Sequence, residues 1–324
     1  MKRAIQFAYA AGIVDGEGSL GVVYYADHNQ YQARIQVVMT NPKPLEILRG
    51  LFGGSLCATK MAPNGRKQPY HYTASGKNLV RLLESVLPYL IEKKSQAENL
   101  LELTRNVEEW NAKGRQRGNL PAEVMEYRRA LKQRSHELKD RALIEMPVDR
   151  RLDKRETLAY SAGILEAEGC FSILKGNGNA FFSVITVQMC CKPVVDSLQE
   201  RFGGSTIERR SKAGTKIFMW RTKGQAAADV CRSITPYLAF RHEEAELLRN
   251  LQNTTNLWAK KVGRGGIPAH VTEKRIRWMN RIHEIHSPAR AETKSEKPAL
   301  LPVSDSPICS ELLVAGPESL VAAA

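Results

Sequence analysis

The sequence predicts an α+β protein made of two copies of one αββαββα module, paired about an internal pseudo-twofold axis. Three observations carry that prediction. The phrase AYAAGIVDGEGSLG at residues 8–21 returns as AYSAGILEAEGCFS at 159–172. The landmarks downstream recur in the same order. LFGGS (51–55) is answered by RFGGS (201–205), LPYLIEKKSQAENLLEL (87–103) by TPYLAFRHEEAELLRNL (235–251), Trp110 by Trp258 and Pro121 by Pro268. Within each copy the apolar period switches between that of a helix and that of a strand.

Taken in order, residues 4–16 carry small and apolar side chains at helical spacing and stop at Gly18, a suitable C-terminal glycine. SLGVVYY (19–25) and YQARIQVVMT (31–40) alternate as paired strands do, and PLEILRGLFGG (44–54) reads as a short helix closed by glycines. SLCATK (55–60) and PYHYTASG (69–76) form a second hairpin, followed by amphipathic helices over 77–90, 93–110 and 121–139. The order repeats from about residue 155. The expected organisation is an N-terminal module at 1–143, a polar proline-bearing linker at 144–156, a C-terminal module at 157–288, and a disordered tail at 289–324 without periodicity.

Composition narrows the function. With 324 residues, each half can bury its own core. Lys and Arg number 48 against 34 Asp and Glu, a formal net charge of +14, which favours a polyanionic partner because each neutralised phosphate releases condensed counterions. No apolar run reaches the roughly 18 residues of a membrane helix, and the opening residues leave no room for a signal or transit peptide. The expectation is a protein used where it is made, in a bacterial cytoplasm or an organelle matrix. The six cysteines lack C-x-x-C spacing and the seven histidines lack metal-ligand spacing, so neither a zinc site nor a disulfide framework is indicated.

The repeated phrase has a physical logic of its own. Ala8, Ala11, Gly12 and Gly16, and likewise Ala159, Ala162, Gly163 and Ala167, lie three or four apart and let two helix backbones approach closely. Each stripe ends in acids: Asp15 and Glu17, then Glu166 and Glu168. If the helices pair about a twofold axis, Glu17 and Glu168 meet at one end. Two carboxylates there repel unless a divalent cation lies between them, and oxygen ligands with retained waters suit Mg²⁺. Phosphodiester cleavage uses such a site. Asp15 and Glu166, two residues earlier, point elsewhere round the helix and read as structural support.

AAGIVDGEG and SAGILEAEG resemble the signature helices of the LAGLIDADG homing endonucleases in their single-chain form, and the PYL…K…QA element is also similar to that family. The likeness runs from residue 4 to about 287. It implies a saddle of antiparallel sheets on double-stranded DNA, a monomer, and site-specific double-strand cleavage of a long asymmetric target. Glu17 and Glu168 would be metal ligands for Mg²⁺, with Mn²⁺ substituting and Ca²⁺ supporting binding without cleavage. It also implies a basic residue near the scissile phosphate: Lys93 fits that position, whereas Arg241 departs from it and cannot readily give up a proton. The same resemblance leaves open an RNA maturase acting on its own intron RNA, and a DNA-binding regulator without catalysis.

Recognition falls to the strands. Along 31–40, Tyr31, Ala33, Ile35, Val37 and Met39 share one face, leaving Gln32, Arg34, Gln36, Val38 and Thr40 on the other. The second copy offers Thr186 and Gln188 beside Val184. Arg and Gln at alternate strand positions suit guanine and adenine edges. Arg66, Lys67, Arg209, Arg210, Lys216 and Arg221, on or near the second hairpins, are expected to contact phosphates or bases.

Overall fold

The protein is described here by a computed structural model covering residues 2–59, 68–113, 120–141, 152–177, 179–211, 214–259 and 267–286. The first half runs α1 (Arg3–Glu17), β1 (Gly18–Tyr25), β2 (Gln30–Met39), α2 (Lys43–Phe52), β3 (Ser55–Ala58), β4 (Tyr70–Ser75), α3 (Gly76–Val86), α4 (Lys94–Ala112) and α5 (Ala122–Arg141). The second half repeats it as α6 (Lys154–Ala167), β5 (Gly169–Lys175), β6 (Phe181–Met189), α7 (Lys192–Phe202), β7 (Ser205–Arg210), β8 (Lys216–Lys223), α8 (Gln225–Ile234), α9 (His242–Ala259) and α10 (Ala269–His286). One boundary differs from expectation. α6 starts at Lys154, inside the stretch read as linker, because Asp153 and Glu156 form a capping box: Asp153 accepts from the amides of Arg155 and Glu156 at 2.7 and 2.8 Å, and Glu156 accepts from the Asp153 amide at 3.0 Å. The tail, and linker residues 144–151, lie outside the described residues.

Each half contains one four-stranded antiparallel sheet, ordered β1-β2-β4-β3 and β5-β6-β8-β7. The two-residue period divides each sheet into a helix-covered face and an open one. In β2 the buried set is Tyr31, Ala33, Ile35, Val37 and Met39, as expected, so Gln32, Arg34, Gln36 and Val38 lie on the open face. In β6, Phe181, Ser183, Ile185, Val187 and Met189 are buried beneath the helices, leaving Phe182, Thr186 and Gln188 outward. The glycine pairs turn the chain from helix into edge strand. Gly53 and Gly54 take φ of 78° and 93°, and Gly203 and Gly204 take 67° and 90°, a region that side-chain-bearing residues rarely adopt. The first glycine of each pair is then held by the sheet, its carbonyl accepting from Tyr72 Oη at 2.9 Å or from Trp220 Nε1 at 2.8 Å.

The halves meet along α1 and α6. From Ala8 to Asp15 every residue of α1 is buried, as is every residue of α6 from Leu158 to Glu166, so neither helix has a polar side to show water. Their closest approach is glycine on glycine: a Cβ added at Gly12 would fall on the Tyr160 carbonyl, and one at Gly163 on the Tyr9 carbonyl. In both cases the obstacle is backbone, which cannot swing aside as a flexible side chain can.

Gly12→Ala or Gly163→Ala should therefore force the helices apart and destabilise the protein by about 1–3 kcal/mol or more, lowering the urea midpoint. Gly50→Ala in α2, where an added Cβ meets nothing within 4 Å, should be neutral or stabilise by up to about 1 kcal/mol.

Candidate active site

α1 ends at Glu17 and α6 is capped by Glu168, and each of these acids is followed by glycine. Gly18 and Gly169 pass so close to the Val14 and Leu165 carbonyls that neither could carry a side chain, and the chain turns there into β1 and β5. The turn brings the last acid of each phrase to the same end of the helix pair. Gly16 lies against Ala167, and a Cβ at Gly16 would stand 3.5 Å from Glu168 Cγ. Glu17 and Glu168 are thus neighbours contributed by different halves. Burial, then the negative charge of Glu17, pushes Glu168 up to about 7, against the pull of Lys93. Partial desolvation also raises Glu17, again opposed by Lys93.

The inner acids do different work, as their position round the helix predicts. Asp15 is fully buried and accepts three hydrogen bonds: Oδ2 receives the Ile91 amide and the Tyr160 hydroxyl, both at 2.7 Å, and Oδ1 receives the Lys93 amide at 2.9 Å. Glu166 mirrors it. Its Oε1 accepts from the amides of Ala239, Phe240 and Arg241 at 2.6, 2.8 and 3.3 Å, and its Oε2 accepts from the Tyr9 hydroxyl. Each tyrosine belongs to the opposite half from its acid, so the two bonds cross the interface in both directions. Burial raises both acids, with these donors acting against it. Tyr9 and Tyr160 were not singled out from the sequence, although the repetition of AY at the head of both phrases was the available signal.

Lys93 is almost wholly buried, and its ammonium lies on the last turn of α1, donating to the carbonyls of Val14 at 3.0 Å, Asp15, and Gly16 at 3.3 Å. It caps the negative end of the helix that delivers Glu17. Arg241 answers it with one weaker bond, Nη2 to the Glu166 carbonyl at 3.4 Å. Its Nη1 pairs with Glu244 at 3.3 Å, and the guanidinium packs on the rings of Phe171 and Phe240 at 5.6 and 5.1 Å. A further acid missed in the sequence, Glu92, sits beside this group; burial pushes it up to about 7, opposed by Lys93 and reinforced by Asp15 and Glu168. Its counterpart is Phe240, one residue before Arg241 as Glu92 precedes Lys93, so the halves are not chemically equivalent. Beside Glu17 opens a cleft of about 570 Å³, walled by Thr40 and Asn41 from the first half and by Cys170, Arg241 and Glu243 from the second.

The recognition candidates divide. Gln32, Arg34 and Gln36 share the open face of the first sheet, where Gln36 Nε2 lies 2.8 Å from His71 Nδ1, a polar neighbour the sequence reading had not named. On the second sheet Thr186 stands opposite Arg221, and Gln188 contacts the Met219 sulfur at 3.5 Å. Arg209 shares that open face through its pairing with Ile217. Arg210 and Lys216 do not: they pair with each other one residue out of phase, on the opposite side, and Lys216 binds Glu208 at 3.2 Å. Arg66 and Lys67 lie outside the described residues.

No protein-family model and no curated protein matches the sequence. The fold, in contrast, is found in solved structures. I-GzeII, a LAGLIDADG homing endonuclease in complex with its DNA target, superposes with a TM-score of 0.65 at 14% identity, covering 85% of this chain and 97% of its own. I-LtrWI, bound to target DNA, gives 0.62 at 15% over 86% and 98%. I-SmaMI, bound to uncleaved DNA target in the presence of calcium ions, gives 0.61 at 13% over 85% and 98%. The chain has the two-domain fold of these LAGLIDADG proteins, with the two antiparallel sheets and the central helix pair that the repeated phrase predicts.

Two measurements test the helix-end geometry. Tyr9→Phe or Tyr160→Phe removes one donor from a buried carboxylate and should cost about 1.5–3 kcal/mol, seen as a lower urea midpoint at unchanged secondary structure. The raised carboxyls give the second. A carboxyl that titrates higher folded than unfolded contributes stability that is complete below its unfolded value and is lost as pH rises through its folded value, about 7 for Glu92 and Glu168. In chelator the melting temperature should fall between about pH 5 and about pH 8, and a divalent cation should restore more of it at the upper end.

Proposed function

We propose that the protein is a site-specific endonuclease that cuts both strands of a double-stranded DNA target, using divalent cations held by Glu17 and Glu168. The observation that carries this reading is the juxtaposition of those two acids, one from each half, at the junction of two sheets whose open faces both carry polar and cationic side chains. A duplex has two strands related by a twofold axis, and a pair of pseudo-twofold-related carboxylates matches that symmetry. The neighbours of like fold named above are DNA complexes, and the formal net charge of +14 supports the same partner.

The donor set suits a hard cation. Among the described residues no three His, Cys, Asp or Glu side chains gather to hold a metal alone, so protein ligation would come from the two carboxylates, with waters and substrate phosphate oxygens completing the shell. That is the habit of Mg²⁺, and Mn²⁺ should substitute. When bound, the cation would polarise the phosphate and lower the pKa of its water. The remaining work belongs to the chain. Asp15 and Glu166 hold the segments 91–93 and 239–241 against the helix ends, which fixes where Glu17 and Glu168 stand. Lys93 and Arg241 supply positive charge close behind those acids; Arg241, tied to Glu244 and stacked on two rings, acts by charge and position and not by proton transfer. Gln32, Arg34 and Gln36 on one sheet, and Thr186, Gln188, Arg209 and Arg221 on the other, would face the duplex. The twofold being internal, the active species is a monomer.

Glu17→Gln and Glu168→Gln should each abolish double-strand cleavage of the selected target in Mg²⁺ while Ca²⁺-supported binding in a gel-shift assay stays within about threefold, a change below 1 kcal/mol. Near-normal double-strand cutting by either variant would remove the metal assignment.

A further inference from the structure

The two sheet faces exchanged by the pseudo-twofold axis are chemically unlike. Gly18 pairs with Val37 and Gly169 with Val187, which aligns β2 with β6 position by position. Gln36 then falls on Thr186, Arg34 on Val184 and Gln32 on Phe182. In the neighbouring strands Val23 falls on Leu174, His71 on Met219 and Cys57 on Ile207. Where the first face offers Gln, Arg and His, the second offers Phe, Val and Met.

Val184 and Met219 are buried within this face, but the other three apolar groups are not hidden. Leu174, Phe182 and Ile207 are 42%, 44% and 41% exposed, half of the six large apolar side chains that stand exposed among the described residues. Leu174 and Phe182 are directly paired across β5 and β6. The turn beside them leaves room for the ring: a Cβ at Gly176 would fall 2.7 Å from Phe182 Cε2. Leu174 lies five residues along the strand from Gly169, about 17 Å out from the acids, towards the outer part of whatever this sheet covers.

Cations stand among them. Lys223 is opposite Val184, Arg221 opposite Thr186, and Arg209 opposite Ile217. A second copy of this face would bring those like charges together, whereas a polyanion would pair with them. An apolar face set among cations therefore fits a DNA groove, and the apolar group that a major groove displays is the 5-methyl of thymine, which side chains such as Phe and Ala contact.

Resting on the proposed DNA-binding function, we infer that the second half reads its half of the target through thymine methyl groups, with Leu174, Phe182 and Ile207 as the reading side chains, while the first half reads purine edges through Arg34, Gln36 and His71. The specificity of the molecule is thus split by chemistry as well as by sequence.

The test begins with selection of a duplex from a randomised library by the full chain in Ca²⁺, followed by replacement of thymine with uracil, which removes only the methyl. Each thymine lost under the second sheet should weaken binding about fourfold, the worth of one buried methyl, whereas uracil in the other half should change it less than twofold. Phe182→Gln, which installs the residue carried at the matching position of the first half, and Leu174→Ala should each abolish part of that uracil sensitivity; both sites are exposed, and circular dichroism checks the fold. A selected target bound equally well with uracil in either half overturns the inference and leaves DNA recognition standing. Failure to select any sequence overturns both. Uracil-insensitive binding together with a self-association that Phe182→Gln abolishes would assign the face to a second copy and likewise overturn the inference.

Discussion

The structure depends on two buried acids that each bind across the midline. Asp15 and Glu166 each gather backbone amides from the loop after the third helix of their own half and one tyrosine hydroxyl from the other half. A buried carboxylate is tolerable only if its lone pairs are filled, and here each acid is filled by groups from two other segments at once. Moving α1 relative to α6, or the 91–93 segment relative to α1, would strand at least one of those donors or acceptors. The glycine contact of Gly12 with Gly163 brings the helices close enough for the tyrosines to reach, so backbone proximity and acid satisfaction are one constraint.

That constraint prepares the outer acids. With both helix ends held, the backbones of Glu17 and Glu168 stay neighbours, and burial together with the charge of Glu17 raises Glu168. The repulsion is a cost that a cation between the two carboxylates would relieve. Lys93, lying on the terminal carbonyls of α1, offsets it. The inner acids serve stability, and in the proposed function the outer pair serves the chemistry, a division that would account for two acids per copy.

Duplication made the halves alike in architecture, and side chains have since made them different. Lys93 against Arg241, Glu92 against Phe240, and Gln32 against Phe182 are the clearest contrasts, the first two beside the acids and the third on the sheet. Each swap leaves the backbone register unchanged, because the strands and helix ends are set by the buried alternation and by glycines, not by the outward side chains. An asymmetric duplex is the kind of partner that can use two faces of the same shape and different chemistry.

Much of this was legible in the order of residues. The duplication, the strand faces and the meeting of Glu17 with Glu168 follow from local periodicity and from one assumption of twofold pairing, and periodicity is a property of sequence alone. The out-of-phase placement of Arg210 and Lys216 was also written in the two-residue period of β7 and β8, had the register been known. Register depends on which strand lies beside which, and the β1-β2-β4-β3 order joins β4 to β2 across an intervening helix and edge strand. The cap that starts α6 inside the expected linker is local, but a stretch rich in charge and close to a proline reads as linker until Asp153 and Glu156 are seen to bind each other's amides. The tyrosine bonds to Glu166 and Asp15 span 157 and 145 residues; the gathering of Glu92, Lys93 and the acids, and the apolar patch on the second sheet, likewise join segments far apart in the chain. No local pattern encodes such contacts, because they exist only once segments distant in the chain have been folded together, and the tyrosine bonds only once the two halves meet along a glycine seam.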